Sequence, residues 1–161
     1  MKTYALKAWL ILLCFTTLIC SISCSKDDAS EATEKLESLS ITEDMLQLVN
    51  KHRLNIGKPV LSINSLATQL AEEHTLFMIS QKEISHDNFN DRADRLYDEE
   101  NAYSVAENVA AKQKSAKDVM EAWLNSKGHR ENIEGHFTHI GISAIKDANG
   151  HYYYTQLFLR Q

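Results

Sequence analysis

A single proline, Pro59, interrupts 161 residues, and only five glycines accompany it. Average usage would place about 8 prolines and 11 glycines in a chain of this length. So thin a supply of turn-formers argues against collagen-like and turn-dense all-β folds and favours long helices. With 43% hydrophobic and 24% charged residues, the composition is that of a globular chain, neither wholly disordered nor polytopic in a membrane. The length fits one domain, or one domain with a tail.

The first residues read as a leader. Lys2 and Lys7 give a positive start, and an apolar run follows from Ala8 to Cys20, broken only by Thr16 and Thr17. That run is short for a bilayer span and matches a signal-peptide core. It ends at Ser21-Ile22-Ser23-Cys24. Small residues before a cysteine resemble a bacterial lipoprotein signal, over residues 1–23, in which Cys24 becomes the lipid-modified first residue. Ser21 stands where a leucine is usual. An ordinary secretory signal and a retained membrane helix are the alternatives. All three cysteines (Cys14, Cys20, Cys24) lie in this region, so cleavage before Cys24 leaves no disulfide framework and no cysteine nucleophile or zinc ligand.

Residues 24–40 are mostly polar and charged and read as a flexible, lipidated tether. The opening Cys24-Ser25-Lys26-Asp27-Asp28 resembles an acidic export tag that carries lipoproteins of one Gram-negative phylum to the outer face of the outer membrane. A solvated linker is the plainer alternative. The formal charge of −5 becomes more negative by two when Lys2 and Lys7 leave with the signal. An acidic surface argues against nucleic acid as a partner, because phosphates require Lys and Arg.

The folded part is predicted over residues 41–161. Ser40-Ile41-Thr42-Glu43 has the pattern of a capping box, with Met45, Leu46 and Val49 following at helical spacing and a stop near Gly57. A second helix opens near Asn64 or Ser65 and aligns Leu66, Leu70, Ala71, His74, Phe77 and Met78 on one face. Phe89 to Leu96 reads as a brief helix, Tyr103 to Val109 as a short strand, and Ser115 with Asp118 as the cap of a third long helix. Phe137–Ile145 and His151–Leu159 are rich in aromatic and branched residues and flank Asp147-Ala148-Asn149-Gly150, a strong hairpin signal. Helices followed by a hairpin predict an α+β domain. His74 reads as a core histidine, His52 and His151 as surface residues, and His139 as packed or exposed. Trp123 reads as core, Tyr152, Tyr153 and Tyr154 as lining the sheet, and Asp98-Glu99-Glu100 as a solvated loop.

An ordered set of short motifs covers this whole region. Leu48-Val49-Asn50, Arg53, Gly57, Pro59, Leu61, Leu66 and Ala71 come first. Ser85-His86, Ala106-Glu107-Asn108 and Ala122-Trp123-Leu124-Asn125-Ser126 follow. Gly128-His129-Arg130-Glu131-Asn132-Ile133, Phe137-Thr138, Ile140-Gly141 and Tyr154-Thr155-Gln156-Leu157-Phe158 complete it. Together they resemble the CAP superfamily (SCP-like domains: cysteine-rich secretory proteins, antigen 5 and pathogenesis-related proteins), in its bacterial branch. The resemblance implies an α-β-α sandwich with a small central antiparallel sheet. It also implies a cleft with two histidines and two glutamates. His86, Glu107 and His129 match three of these. Ser126 stands where the second acid belongs, and Ala106 replaces the glycine usual before Glu107. Gly135-His136-Phe137-Thr138 looks like the signature of eukaryotic members, but His136 lies too close to Gly141, so His129 is preferred as the second histidine.

Two imidazoles in one cleft can bind zinc through neutral nitrogens, so His86 and His129 are the candidate metal ligands, with Glu107 as a third ligand or an orienting group. Helical HExxH spacing is absent. The same residues can instead hydrogen-bond one another and rivet loops around a cleft. Glu107 and His129 are the candidate catalytic groups. A serine hydrolase has little support, since no Gly-x-Ser-x-Gly elbow is present. The leading reading is a lipid-anchored protein of the cell envelope, on the outer membrane and facing the periplasm or surface, whose cleft of His86, Glu107, Ser126 and His129 binds a small apolar or metal-dependent ligand. A zinc-dependent hydrolase of peptide or envelope material and a non-catalytic adhesin with a protein partner are the alternatives. Loss of the second acid at Ser126 weighs against catalysis.

Overall fold

The computed structural model describes residues 26–161, with side chains from residue 30 onward; the leader and Cys24 lie outside the described residues. Nine elements follow in order: α1 (Lys26–Asn55), β1 (Ser62–Ile63), α2 (Ser65–Gln81), α3 (Phe89–Glu100), β2 (Ser104–Ala111), α4 (Ala116–Asn125), α5 (Lys127–Ile133), β3 (His139–Lys146) and β4 (Tyr152–Arg160). The sheet order is β1-β3-β4-β2. The β3–β4 hairpin and the β2–β4 pair are antiparallel, as predicted. The two-residue β1 adds a parallel edge beside β3 and makes the sheet mixed.

Strand alternation sorts the helices into layers. On β4, Tyr152, Tyr154 and Phe158 pack with Met45 and Val49 of α1, with Val119, Met120 and Trp123 of α4, and with Ile133 of α5. Leu157 and Leu159 point the other way, onto Ala67, Leu70 and Ala71 of α2 and Leu96 of α3. Every residue from Tyr152 to Leu159 is therefore buried, the mark of a strand covered on both faces. The result is the expected α+β, α-β-α sandwich. Trp123 is fully buried and donates its Nε1–H to the Val109 carbonyl at 3.2 Å. That bond fixes α4 against β2.

Local chemistry sets the element ends. The α1 helix closes in a Schellman motif: Gly57 takes φ +73°, the Lys58 N–H bonds the Arg53 carbonyl (2.8 Å), and the Gly57 N–H bonds the Leu54 carbonyl (3.0 Å). Asn64 caps α2 by accepting from the Ala67 N–H at 2.8 Å. Gly141 on β3 permits a close approach, since a Cβ there would lie 2.1 Å from the Ala67 carbonyl carbon. Its place in the motif set is thus a packing requirement between β3 and α2.

Three expectations are corrected. Residues 26–40 are helical, continuous with α1, where a flexible tether was expected. The segment is rich in Ala, Glu, Lys and Leu, all good helix formers. It is tied to the sheet by Lys146 Nζ to Glu37 (2.7 Å) and by Ser38 Oγ donating to the Ala144 carbonyl (2.7 Å). Ser40-Ile41-Thr42-Glu43 accordingly lies inside α1 and caps nothing; the Thr42 hydroxyl donates back to the Leu39 carbonyl. Asp98-Glu99-Glu100 forms the last turn of α3, not a loop, and Glu100 accepts from Asn64 Nδ2 at 2.8 Å.

Candidate functional site

Glu107 sits in the middle of β2, with its side chain only 2% exposed on the face covered by α2 and α3. A carboxylate buried this deeply requires a partner. Arg92, one turn into α3, supplies it. Its Nε donates to Glu107 Oε2 at 2.9 Å and its Nη2 to Oε1 at 2.9 Å, a bidentate fork. Arg92 Nη1 also donates to the Asp87 carbonyl at 2.8 Å, tying the loop before α3 to the same ion pair.

His86 lies on that loop and meets Glu107 from the solvent side. Its Nδ1 is 2.8 Å from Glu107 Oε1 while its side chain is 54% exposed. The carboxylate can only accept, so Nδ1 carries a proton in this contact, and Nε2 is not engaged by Glu107. His74 reaches the same carboxylate from α2, at 3.8 Å, and bonds the Ser85 carbonyl at 2.8 Å. It is buried, as predicted, and it also anchors the residue next to His86. Burial is the main force lowering the His74 pKa, opposed by the charge on Glu107.

His129 lies on α5 and is partly buried. Burial lowers its pKa first, and the nearby His86 charge lowers it further, so the two imidazoles feel one another. Its ring is tilted against Trp123 at a centroid distance of 6.5 Å. A polar stitch joins α5 to β2. Asn132 Nδ2 donates to the Glu107 carbonyl (3.0 Å) and to Asn108 Oδ1 (2.9 Å), while Asn108 Nδ2 donates to the His129 carbonyl (3.2 Å). Ser126 occupies the α4–α5 junction. Its backbone N–H bonds Trp123 and its carbonyl accepts from Arg130.

The cleft itself has a volume of about 320 Å³ and is lined by His86, Phe89, Val105, Ala106, Glu107 and Asn132. The structure thus joins His86 directly to Glu107 and brings His129 within electrostatic range of His86. Ser126 and His129 lie outside the lining. Sequence reasoning missed Arg92, Asn132 and the second role of His74. The one available signal was the demand of any buried acid for a cation, and the sequence does not say which arginine answers it.

Zinc needs free donors. Arg92 holds both Glu107 oxygens, and among the described residues no group of three or more His, Cys, Asp or Glu side chains is placed to hold a metal. A three-ligand zinc site including Glu107 does not fit this arrangement. His86 Nε2 and His129 are the donors that remain.

Comparison with known proteins agrees with this architecture. The model of the CAP, cysteine-rich secretory protein, family matches residues 46–158. An uncharacterised protein of Bacillus subtilis, YkwD, is 29% identical over 119 residues, covering 71% of this chain and 45% of its own length. The chain spans under half the length of the curated relatives it matches. Among solved structures, an extracellular protein containing a SCP domain from Bacillus anthracis superposes with a TM-score of 0.70. It is 27% identical, over 81% of this chain and 43% of that one. An outer surface protein of Borrelia burgdorferi shares the fold with a TM-score of 0.66 at 22% identity, over 74% of this chain and 93% of its own. Motif order, layered fold and family match converge, and the chain belongs to the cysteine-rich secretory protein (CAP) family, among its bacterial members.

Proposed function

We propose that this chain is a non-catalytic binding module of the bacterial cell envelope that takes a small apolar ligand with a polar end in the cleft beside His86. The observation that carries the reading is the lock on Glu107. A general base needs a carboxylate free to take a proton at the reacting atom. Here Arg92 holds both oxygens and His86 takes one of them again. Ser126, in the place of a second acid, supplies no replacement. What remains is a cleft with an apolar wall of Phe89, Val105 and Ala106 and a polar end of His86 and Asn132. That combination orients an amphipathic molecule and excludes water from its tail.

Cys24 would anchor the module by its lipid, on the outer membrane. The leader pattern supports the lipid anchor, and the extracellular description of the Bacillus anthracis match supports export from the cell. Mass spectrometry of the mature N-terminus should find a diacylglyceryl group on Cys24, and Cys24→Ala should release the chain into the soluble fraction. Cleavage at another residue would remove the anchor from the proposal.

The cleft is tested by incubating the purified protein with total membrane lipid and identifying what is retained by native mass spectrometry. One defined species should co-purify with the parent and be lost from Phe89→Asp. Retention of nothing, or equal retention by both, would reject the assignment.

A further inference from the structure

A second concavity, of about 430 Å³, opens where the chain leaves α1 and α5. It shares no lining residue with the cleft beside His86. Arg53, Lys58, His136 and Arg160 line it, and no acidic side chain does. It also contains the Gly135-His136-Phe137-Thr138 segment, which the cleft leaves unused. On a chain of net charge −5, a pocket of one positive sign is a local reversal.

Arg53 is the centre of the argument. It is 1% exposed, and its guanidinium donates to four backbone carbonyls: Pro59 (2.8 Å), Ile133 (2.8 Å), Gly135 (2.9 Å) and Phe137 (3.2 Å). These bonds explain its structural role, since they staple the ends of α1 and α5 to the start of β3. They satisfy hydrogen bonds without cancelling the charge. Burial alone is what lowers its pKa, which marks a cation held out of water without a carboxylate at its side. The acid next along the chain, Glu134, is engaged elsewhere, 2.9 Å from His52 Nε2. Arg160 is exposed and lines the pocket, with its guanidinium 5.2 Å from the Tyr103 ring centroid.

The geometry points to an oxyanion site: the pocket binds one phosphate group, with Arg53 supplying the buried field and Lys58 and Arg160 supplying the hydrogen-bonding contacts. A single phosphate fits better than a polyanion, because the acidic surface outside the pocket repels an extended negative chain. Exposed Ile56 on the rim gives the site an apolar margin that the acyl chains of a phospholipid would use and inorganic phosphate would not.

Isothermal titration of the purified full chain tests this with two probes. They are inorganic phosphate and dihexanoyl phosphatidylglycerol below its micelle concentration, with chloride as the control anion. Arg53→Ala would strand four carbonyls and is expected to unfold the domain, so the variant is Lys58→Ala/Arg160→Ala, with circular dichroism checking its fold. Saturable one-to-one binding of either probe, weakened about tenfold or more in the variant, is expected. Tighter binding of the lipid probe assigns the phosphate to a headgroup; equal binding assigns it to the free ion. No saturation up to about 10 mM, an equal response to chloride, or unchanged binding in the folded variant would overturn the proposal.

Discussion

At the scale of single residues, the organising fact is a buried carboxylate with more than one suitor. Arg92 and Glu107 are both nearly inaccessible, whereas His86 is half in solvent. The two contacts on Glu107 should therefore differ sharply in cost. Glu107→Gln leaves the Arg92 charge buried without its counter-ion and should destabilise the fold by about 3 kcal/mol. His86→Ala removes a partly solvated partner and should cost about 1 kcal/mol or less. Urea unfolding of both variants measures the contrast, and equal losses would mean that Arg92 is not the partner that matters. The imidazoles add a pH dependence. Burial holds the His74 and His129 pKa values below the ordinary value near 6.5 in the native state. As pH falls through about 6.5 the unfolded chain gains protons that the native chain refuses, so stability declines from there down to the native pKa values. The slope is at most about 1.4 kcal/mol per pH unit for each fully buried imidazole, and less for His129, which is only partly buried. Melting temperature should drop between pH 7.5 and 5.0 in the parent and drop less in His74→Gln. A flat profile in the parent would refute the effect.

At the scale of elements, the site exists because α2, α3 and α5 are pinned to β2 and β3 within narrow tolerances. Gly141 is the tightest of these joints. A methyl group there would meet the Ala67 carbonyl carbon and oxygen and the Thr68 nitrogen, all within 2.3 Å. These are backbone atoms, so no side-chain rotation relieves the clash. Gly141→Ala should push α2 off the sheet at a cost of about 1 to 3 kcal/mol, read as a lowered melting temperature. Because α2 carries His74, its displacement should also loosen the loop bearing His86, visible as faster amide exchange over residues 84–88. Retention of the parent's melting temperature would show that the helix can slide without loss. The elements themselves were largely legible beforehand. The β3–β4 hairpin followed from aromatic and branched runs around Asn149-Gly150, and α2 from its apolar spacing behind Asn64. The edge strand β1 was not legible, because two residues carry no period and pair only once β3 is in place. The Arg92–Glu107 ion pair was hidden for a related reason. It joins two elements across 15 positions, and nothing local in either element names the other.

At the scale of the whole molecule, the sandwich was legible from motif order, while its N-terminal boundary was not. Charge density in residues 26–40 suggested a solvated coil, yet the same residues have strong helix propensity and continue directly into a helical half that buries Met45, Val49 and Arg53. Propensity decides the local conformation of such a segment; burial decides whether the domain depends on it. Leu36 and Leu39 remain exposed, so this half of α1 hides little apolar surface. Its ties to the sheet include the exposed Glu37–Lys146 ion pair and the Ser38–Ala144 hydrogen bond. The first is open to solvent and screened, so it adds little; the second is worth about 1 kcal/mol. A chain beginning at residue 41 should therefore fold with a loss of about 1 to 2 kcal/mol relative to one beginning at residue 26, and with lower helical ellipticity. Chemical denaturation of the two chains followed by circular dichroism measures both quantities. A loss of several kcal/mol would make the early helix an integral layer of the domain. The modest loss expected would instead make it a stiff arm, holding the folded part at a set distance from any anchor at Cys24. Residues 26–40 of the helix rise about 22 Å at about 1.5 Å per residue, so such an arm would set the folded part about that far from the surface to which it is fixed.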